Sequence, residues 1–158
     1  MKKIFISIVF ALLGAGSMNA QQLEDQLALK KLVDTFSILA DVKDVDAQVL
    51  LFTPDAEVNS KSAAGTSSFK GREEIAKSFS SFLALFDVVY HLNGQQTVEF
   101  TDATHATGIS YCHVTLIGSG KKNQSGVRYH DTYVKQDGKW YIQKRESDFM
   151  YTTIDDMK

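Results

Sequence analysis

Few side chains in this sequence could do chemistry, and they are widely spaced: four histidines, one cysteine and a scatter of acids. His91 stands between Tyr90 and Leu92, and His113 between Cys112 and Val114, both in β-branched and aromatic company that reads as strand. Asp41 closes a long helical stretch, on the sheet-facing side if Phe36 and Leu39 face the sheet. Each has an ordinary structural explanation. Asp41 could be a solvent-facing acid or a cap for the next helix, although Asp44 is better placed to cap. A lone strand histidine is usually structural or exposed. Gathered in one pocket they would do something else. Imidazole titrates near neutral pH and can accept and return a proton within a turnover. A carboxylate on one ring nitrogen would fix the tautomer and stabilise the imidazolium, as Asp41 could do for His113. The chemistry that suits such a trio is proton transfer beside a carbonyl, with His91 or a tyrosine hydroxyl as second donor. His105 sits in a turn and His130 has the opposite strand parity from Tyr129 and Asp131, so both are read as solvated.

The elements that must position these groups follow from periodicity. Leu23, Leu27, Leu32, Phe36 and Leu39 make one stripe on a first helix from 23 to 40. Asp44-Val45-Asp46 restarts the helical pattern through Leu51, and Thr53-Pro54-Asp55 ends it. Ala56 to Asn59 reads as a short strand, Ser60 to Ser68 as a polar loop, and Gly71 opens a third helix running to about Phe86. From Val88 to Met150 the period changes to that of four long antiparallel strands, punctuated at Thr101-Asp102-Ala103, Gly118-Ser119-Gly120 and Asp137-Gly138. Helices first and a strand meander afterwards predict an α+β domain with the helices on one face of a sheet. On β-strand alternation, Ile109, Tyr111, His113 and Thr115 share one face, and Cys112, Val114 and Leu116 the other.

Lys2-Lys3, an apolar run from Ile4 to Leu13 and small residues up to Ala20 have the order of a secretory signal peptide. The run is about half of the roughly twenty residues a bilayer-spanning helix needs. Cleavage is expected after Ala20, which leaves a single domain over 21–158, located in the periplasm or secreted, with no stable membrane anchor. Removing Lys2 and Lys3 leaves 15 basic and 19 acidic residues, and no basic cluster to grip phosphates, so nucleic acid is not an expected partner. Cys112 has no second cysteine to pair with and is read as buried and inert.

Three stretches resemble the SnoaL-like domain of the NTF2-like superfamily: "ILADVKDVDAQVLLFTPDAEV" (Ile38 to Val58), "FKGREEIAKSF" (Phe69 to Phe79) and "RYHDTYVKQDGKWYIQKRE" (Arg128 to Glu146). The resemblance implies a cone-shaped fold, with N-terminal helices packed on a curved, mainly antiparallel sheet around a deep small-molecule pocket. It is similar in its site to the scytalone dehydratase and bile-acid dehydratase branch, whose pattern puts an acid at the end of the first helix, a histidine early in the strand after the third helix and a polar residue on the next strand. Asp41, His91 and His113 stand there. The implied activity is cofactor-independent dehydration or double-bond isomerisation of a hydroxylated carbonyl compound, steroid- or polyketide-like. The alternative is a non-catalytic periplasmic protein that holds a small hydrophobic ligand. Where that branch carries helix tyrosines, this chain has Phe36 and Ala40, so a hydroxyl would have to come from Tyr90, Tyr111 or Tyr129.

Asp131 and Arg145 are read either as lining the pocket mouth or as a surface ion pair. No metal site is expected, since the resemblance implies metal-independent chemistry and no HxH or HxxxH spacing is present. Asn123-Gln124-Ser125 matches a glycosylation triplet in what reads as a polar hairpin loop, where it is taken as chance. Cys112, Val114 and Leu116, on an outer sheet face, would leave an apolar strip to cover, and a homodimer is expected from it.

Overall fold

The computed structural model describes residues 20–157, so the signal-peptide stretch lies outside the described residues but for Ala20. Three helices, α1 (Ala20–Asp41), α2 (Val45–Val49) and α3 (Gly71–Leu83), pack with six strands: β1 (Phe52–Ser62), β2 (Gly65–Lys70), β3 (Val88–Phe100), β4 (His105–Gly118), β5 (Lys121–Gln136) and β6 (Lys139–Asp156). The sheet order is β2-β1-β6-β5-β4-β3, and only β1 and β6 run parallel. This is an α+β fold with helices on an open, mostly antiparallel sheet.

The buried stripe of α1 is Leu29, Leu32, Val33, Phe36 and Ala40, at steps of three, one, three and four. Leu23 and Leu27, expected in it, are exposed. The helix start is held instead by Asp25, whose Oδ1 accepts hydrogen bonds from Trp140 Nε1 at 2.9 Å and Lys135 Nζ at 2.6 Å. The chain then turns at Lys43, which has a φ of 58°, and Asp44 caps α2 by accepting from the Ala47 N–H at 3.0 Å. Two β-hairpins close at Ser119-Gly120 and Asp137-Gly138. All four residues have positive φ, the geometry of the two-residue turn that matches strand twist.

Three sequence expectations are corrected. Ser60 to Ser68 is a hairpin rather than a loop, with Ser60 paired to Ser67 and Ser62 to Gly65. Its inward positions are serine and glycine because they border a cavity instead of a core, so no apolar alternation marked them. Asn123 and Ser125 lie within β5, not in a loop. On β4 the inward face is Ser110, Cys112, Val114 and Leu116, all buried, while Tyr111 and His113 face outward. The apolar strip from which a dimer was expected is therefore core.

Candidate active site

Helix α1 crosses β3 so that its last turns lie against the strand's inward residues in reverse order. Ser37 Oγ donates to Asn93 Oδ1 at 3.0 Å, and Asn93 Nδ2 donates to Asp34 Oδ1 at 3.0 Å. Four residues on along the helix and two back along the strand, Asp41 meets His91, with Oδ1 2.7 Å from Nδ1. The match is geometric: four helical residues rise about 6 Å and two strand residues about 6.6 Å, so a contact at one rung brings the next into register. A carboxylate only accepts, so Nδ1 carries the hydrogen in the neutral ring, and the lone pair is left on Nε2. The His91 side chain is 8% exposed and that of Asp41 26%. Burial holds the His91 pKa below the usual 6.5; the hydrogen bond and charge of Asp41 oppose that shift, and Arg145 adds to it.

His91 opens on a cavity of about 620 Å³ between the helices and the sheet. Its roof is aromatic, with Phe36 edge-on to both Phe79 and Tyr129 at centroid distances of 5.9 and 6.1 Å, and Phe82 and Phe86 from the end of α3 and the residues after it. Its floor is more polar. Ser67, Ser60, Ser147 and Tyr129 are successive cross-strand partners on β2, β1, β6 and β5, and they lay a band of hydroxyls across the sheet. Burial pushes the Tyr129 hydroxyl well above its ordinary pKa, so it remains a donor.

Arg145 also lines the cavity and is 1% exposed. Its Nε and Nη2 donate to Asp131 Oδ1 and Oδ2 at 2.8 and 2.6 Å, and its guanidinium stacks 4.1 Å from the centroid of Phe36 and 4.4 Å from that of Tyr129. Burial works against its charge, but the two bonds and the charge of Asp131 outweigh it and keep it a cation. Its Nη1 has no partner among the described residues. Gln48, also on the cavity wall, donates through Nε2 to the Phe36 carbonyl at 3.1 Å.

The sequence reading placed these groups differently. His113 does not meet Asp41; it faces outward from β4, and His91 takes the carboxylate. Tyr90, 52% exposed, and Tyr111, 44% exposed, point away from the cavity, because each sits one residue off the inward parity. Asp131 and Arg145 form neither a mouth nor a surface pair: both are buried, and of the two only Arg145 lines the cavity. Phe36 and Tyr129 line it as well. Cys112 is buried and its thiol pKa is pushed up to about 12. Gln48, Ser37 and Asn93 were missed. Among the described residues no three His, Cys, Asp or Glu side chains group as metal ligands.

The family model of the SnoaL-like domain matches residues 21–146. The chain belongs to the SnoaL-like family. Uncharacterized proteins of Mycobacterium tuberculosis and Mycobacterium bovis are each 26% identical to it over 139 residues, 85% of this chain and 92% of theirs. Among solved structures, a candidate scytalone dehydratase from Novosphingobium aromaticivorans superposes with a TM-score of 0.76 at 24% identity, covering 84% of this chain and 89% of that one. LinA superposes with a TM-score of 0.77 at 22% identity, over 87% and 93% of the two chains. The hexachlorocyclohexane dehydrochlorinase LinA-type3 of Novosphingobium barchaimii gives 0.74 at 20% identity, over 85% and 92%. At these identities the structural likeness establishes the fold alone, the NTF2-like fold that the SnoaL-like family model also gives.

Proposed function

We propose that this protein is an exported lyase or isomerase that moves a proton beside a carbonyl, dehydrating or isomerising a hydroxylated ring compound without a cofactor. The observation that carries the reading is the Asp41–His91 pair opening on a cavity that also holds the Arg145 cation. His91 Nε2 takes a proton from the carbon next to the carbonyl, and Asp41 stabilises the imidazolium that forms. The carbonyl oxygen gains negative charge as the enolate develops, and Arg145 Nη1 is the buried donor for it. In a dehydration the enolate re-forms the carbonyl as the carbon–oxygen bond at the next carbon breaks, and the imidazolium gives its proton to the departing hydroxide, which leaves as water. In an isomerisation the same proton returns to a different carbon. Catalysis then needs one histidine, with His113 playing no part.

Dehydratase and dehydrochlorinase names among the structural neighbours support elimination chemistry on this fold only by analogy. The six phenylalanines on the wall, Phe36, Phe69, Phe79, Phe82, Phe86 and Phe149, favour a ring system as occupant and keep open a second reading, a carrier that holds such a molecule unchanged. Incubation with fused-ring β-hydroxy ketones in deuterium oxide separates the two. Loss of water, or deuterium entering at the α-carbon, with neither seen in His91→Ala, supports the enzyme. Binding without either change in the wild type supports the carrier.

Export rests on Lys2-Lys3 and the apolar run that follows. A homodimer remains part of the proposal, now on the outward apolar residues Val88, Tyr90, Leu92 and Tyr111 of β3 and β4. Light scattering at tens of micromolar should give twice the chain mass; a monomer mass would exclude it.

A further inference from the structure

We infer that Gln48 sets the specificity of this cavity by accepting a hydrogen bond from a hydroxyl of the bound molecule, with Arg145 holding a neighbouring oxygen. The inference rests on the reading of the cavity as the substrate site. Gln48 is 1% exposed and lines the cavity from α2. The Phe36 carbonyl can only accept, so the amide nitrogen must face it, and that orientation fixes Oε1 as the group left over. Oε1 is buried with no donor among the described residues. Arg145 presents the complementary deficit, a buried Nη1 with no acceptor among the described residues. Among the described residues, of the buried side-chain polar atoms without a partner, those of Gln48 and Arg145 alone belong to residues that line the cavity. Both are tied to Phe36, Gln48 through its carbonyl and Arg145 through its ring face.

A buried acceptor and a buried donor that do not satisfy each other lose hydrogen bonds to water on folding, and they regain them from a molecule carrying both complements. A hydroxyl beside a carbonyl is such a molecule: its carbonyl oxygen accepts from Arg145 and its O–H donates to Gln48. A ring ether has an oxygen but no hydrogen to give, and a chlorinated ring has neither. Sites built to bond a hydroxyl reject analogues that lack it far more strongly than apolar pockets reject a change of size. The substrate class that follows is hydroxylated and carbonyl-bearing rings, with halogenated hydrocarbons excluded.

The test uses three probes of similar shape: 2-naphthol, 2-methoxynaphthalene and 2-chloronaphthalene, titrated into the whole protein while the ring signals of His91 and Phe36 are followed by NMR. The wild type should bind 2-naphthol about five-fold or more tighter than either analogue, the scale of one net hydrogen bond. Gln48→Met keeps the length and removes the acceptor, and should bring the three within about two-fold. Equal affinities in the wild type, or a naphthol preference that survives in a folded Gln48→Met, overturn the inference and leave the cavity reading standing. If no probe moves the His91 and Phe36 signals, the cavity reading falls with it. Should Gln48→Met fail to fold by circular dichroism, the wild-type ratio decides.

Discussion

His91 Nδ1 lies 2.7 Å from Asp41 Oδ1 one rung beyond Ser37 and Asn93, which are hydrogen-bonded at 3.0 Å on the same helix and strand. The pair that carries the proposed chemistry is thus positioned by a polar ladder between α1 and β3, not by the loops around it.

The first consequence is kinetic. In the reaction identified for the protein, His91→Ala should lower kcat about 10²- to 10⁴-fold, the usual contribution of a positioned acid–base group. Asp41→Asn should lose a comparable factor, and the double variant little more, since the two act as a unit. His113→Ala should stay within about two-fold of wild type, because an outward side chain touches no reacting atom. Steady-state rates of the four variants against wild type check this, and a loss in His113→Ala as large as that in His91→Ala would contradict it.

The ladder itself should be testable by stability. Ser37→Ala leaves the Asn93 amide with fewer partners at a part-buried contact, and a loss of roughly 1 kcal/mol is expected from one net hydrogen bond. Because the next rung depends on this one, kcat should also fall while urea unfolding remains cooperative. A variant with lower stability and wild-type kcat would show that Ser37 supports the fold without positioning Asp41.

A third expectation concerns pH. Folding holds the His91 pKa below 6.5, so at mildly acidic pH the unfolded chain takes up a proton there that the folded chain does not. Stability from this group is present above pH 6.5 and is lost as pH falls through the folded-state value. Urea unfolding of the wild type between pH 7.5 and 5 should therefore lose more stability than His91→Gln over the same range. Equal slopes would mean that His91 titrates alike in both states.

Arg145 offers a fourth. Replacing it with Met strands Asp131 in the interior, where the Tyr133 hydroxyl, at 2.9 Å, is its remaining side-chain donor among the described residues. Breaking a buried ion pair from one side costs about 3–5 kcal/mol. The double variant Arg145→Met with Asp131→Leu should recover most of that loss, as removing both charges together does elsewhere. Denaturant melts of the three proteins measure it, and a single variant as stable as the wild type would show the pair to be solvated.

The helices, the four long strands and their turns were legible because each depended on a local signal: a cap at Asp44, a proline at 54, glycine turns at 120 and 138. The site was less so. On β4 both faces carry apolar residues, Cys112, Val114 and Leu116 on one and Ile109, Tyr111 and Ile117 on the other, so alternation alone does not say which is inward. Following the resemblance through His113 put the wrong one inside. Choosing the more uniformly apolar set would have buried Cys112 and turned His113 out. Gln48 carried no signal at all: a five-residue helix shows too little periodicity to orient one amide. The serines of the β1–β2 hairpin were polar for the sake of the cavity they border, and so they resembled a loop.

The central claim is that Asp41 and His91 are a coupled pair, and an NMR titration of the His91 ring in wild type and Asp41→Asn tests it with no substrate at all. Asp41 opposes the effect of burial on that ring, so its removal should lower the His91 pKa further while the backbone spectrum stays native. An unchanged or raised His91 pKa in a folded Asp41→Asn protein would contradict the pair, and with it the proposed chemistry.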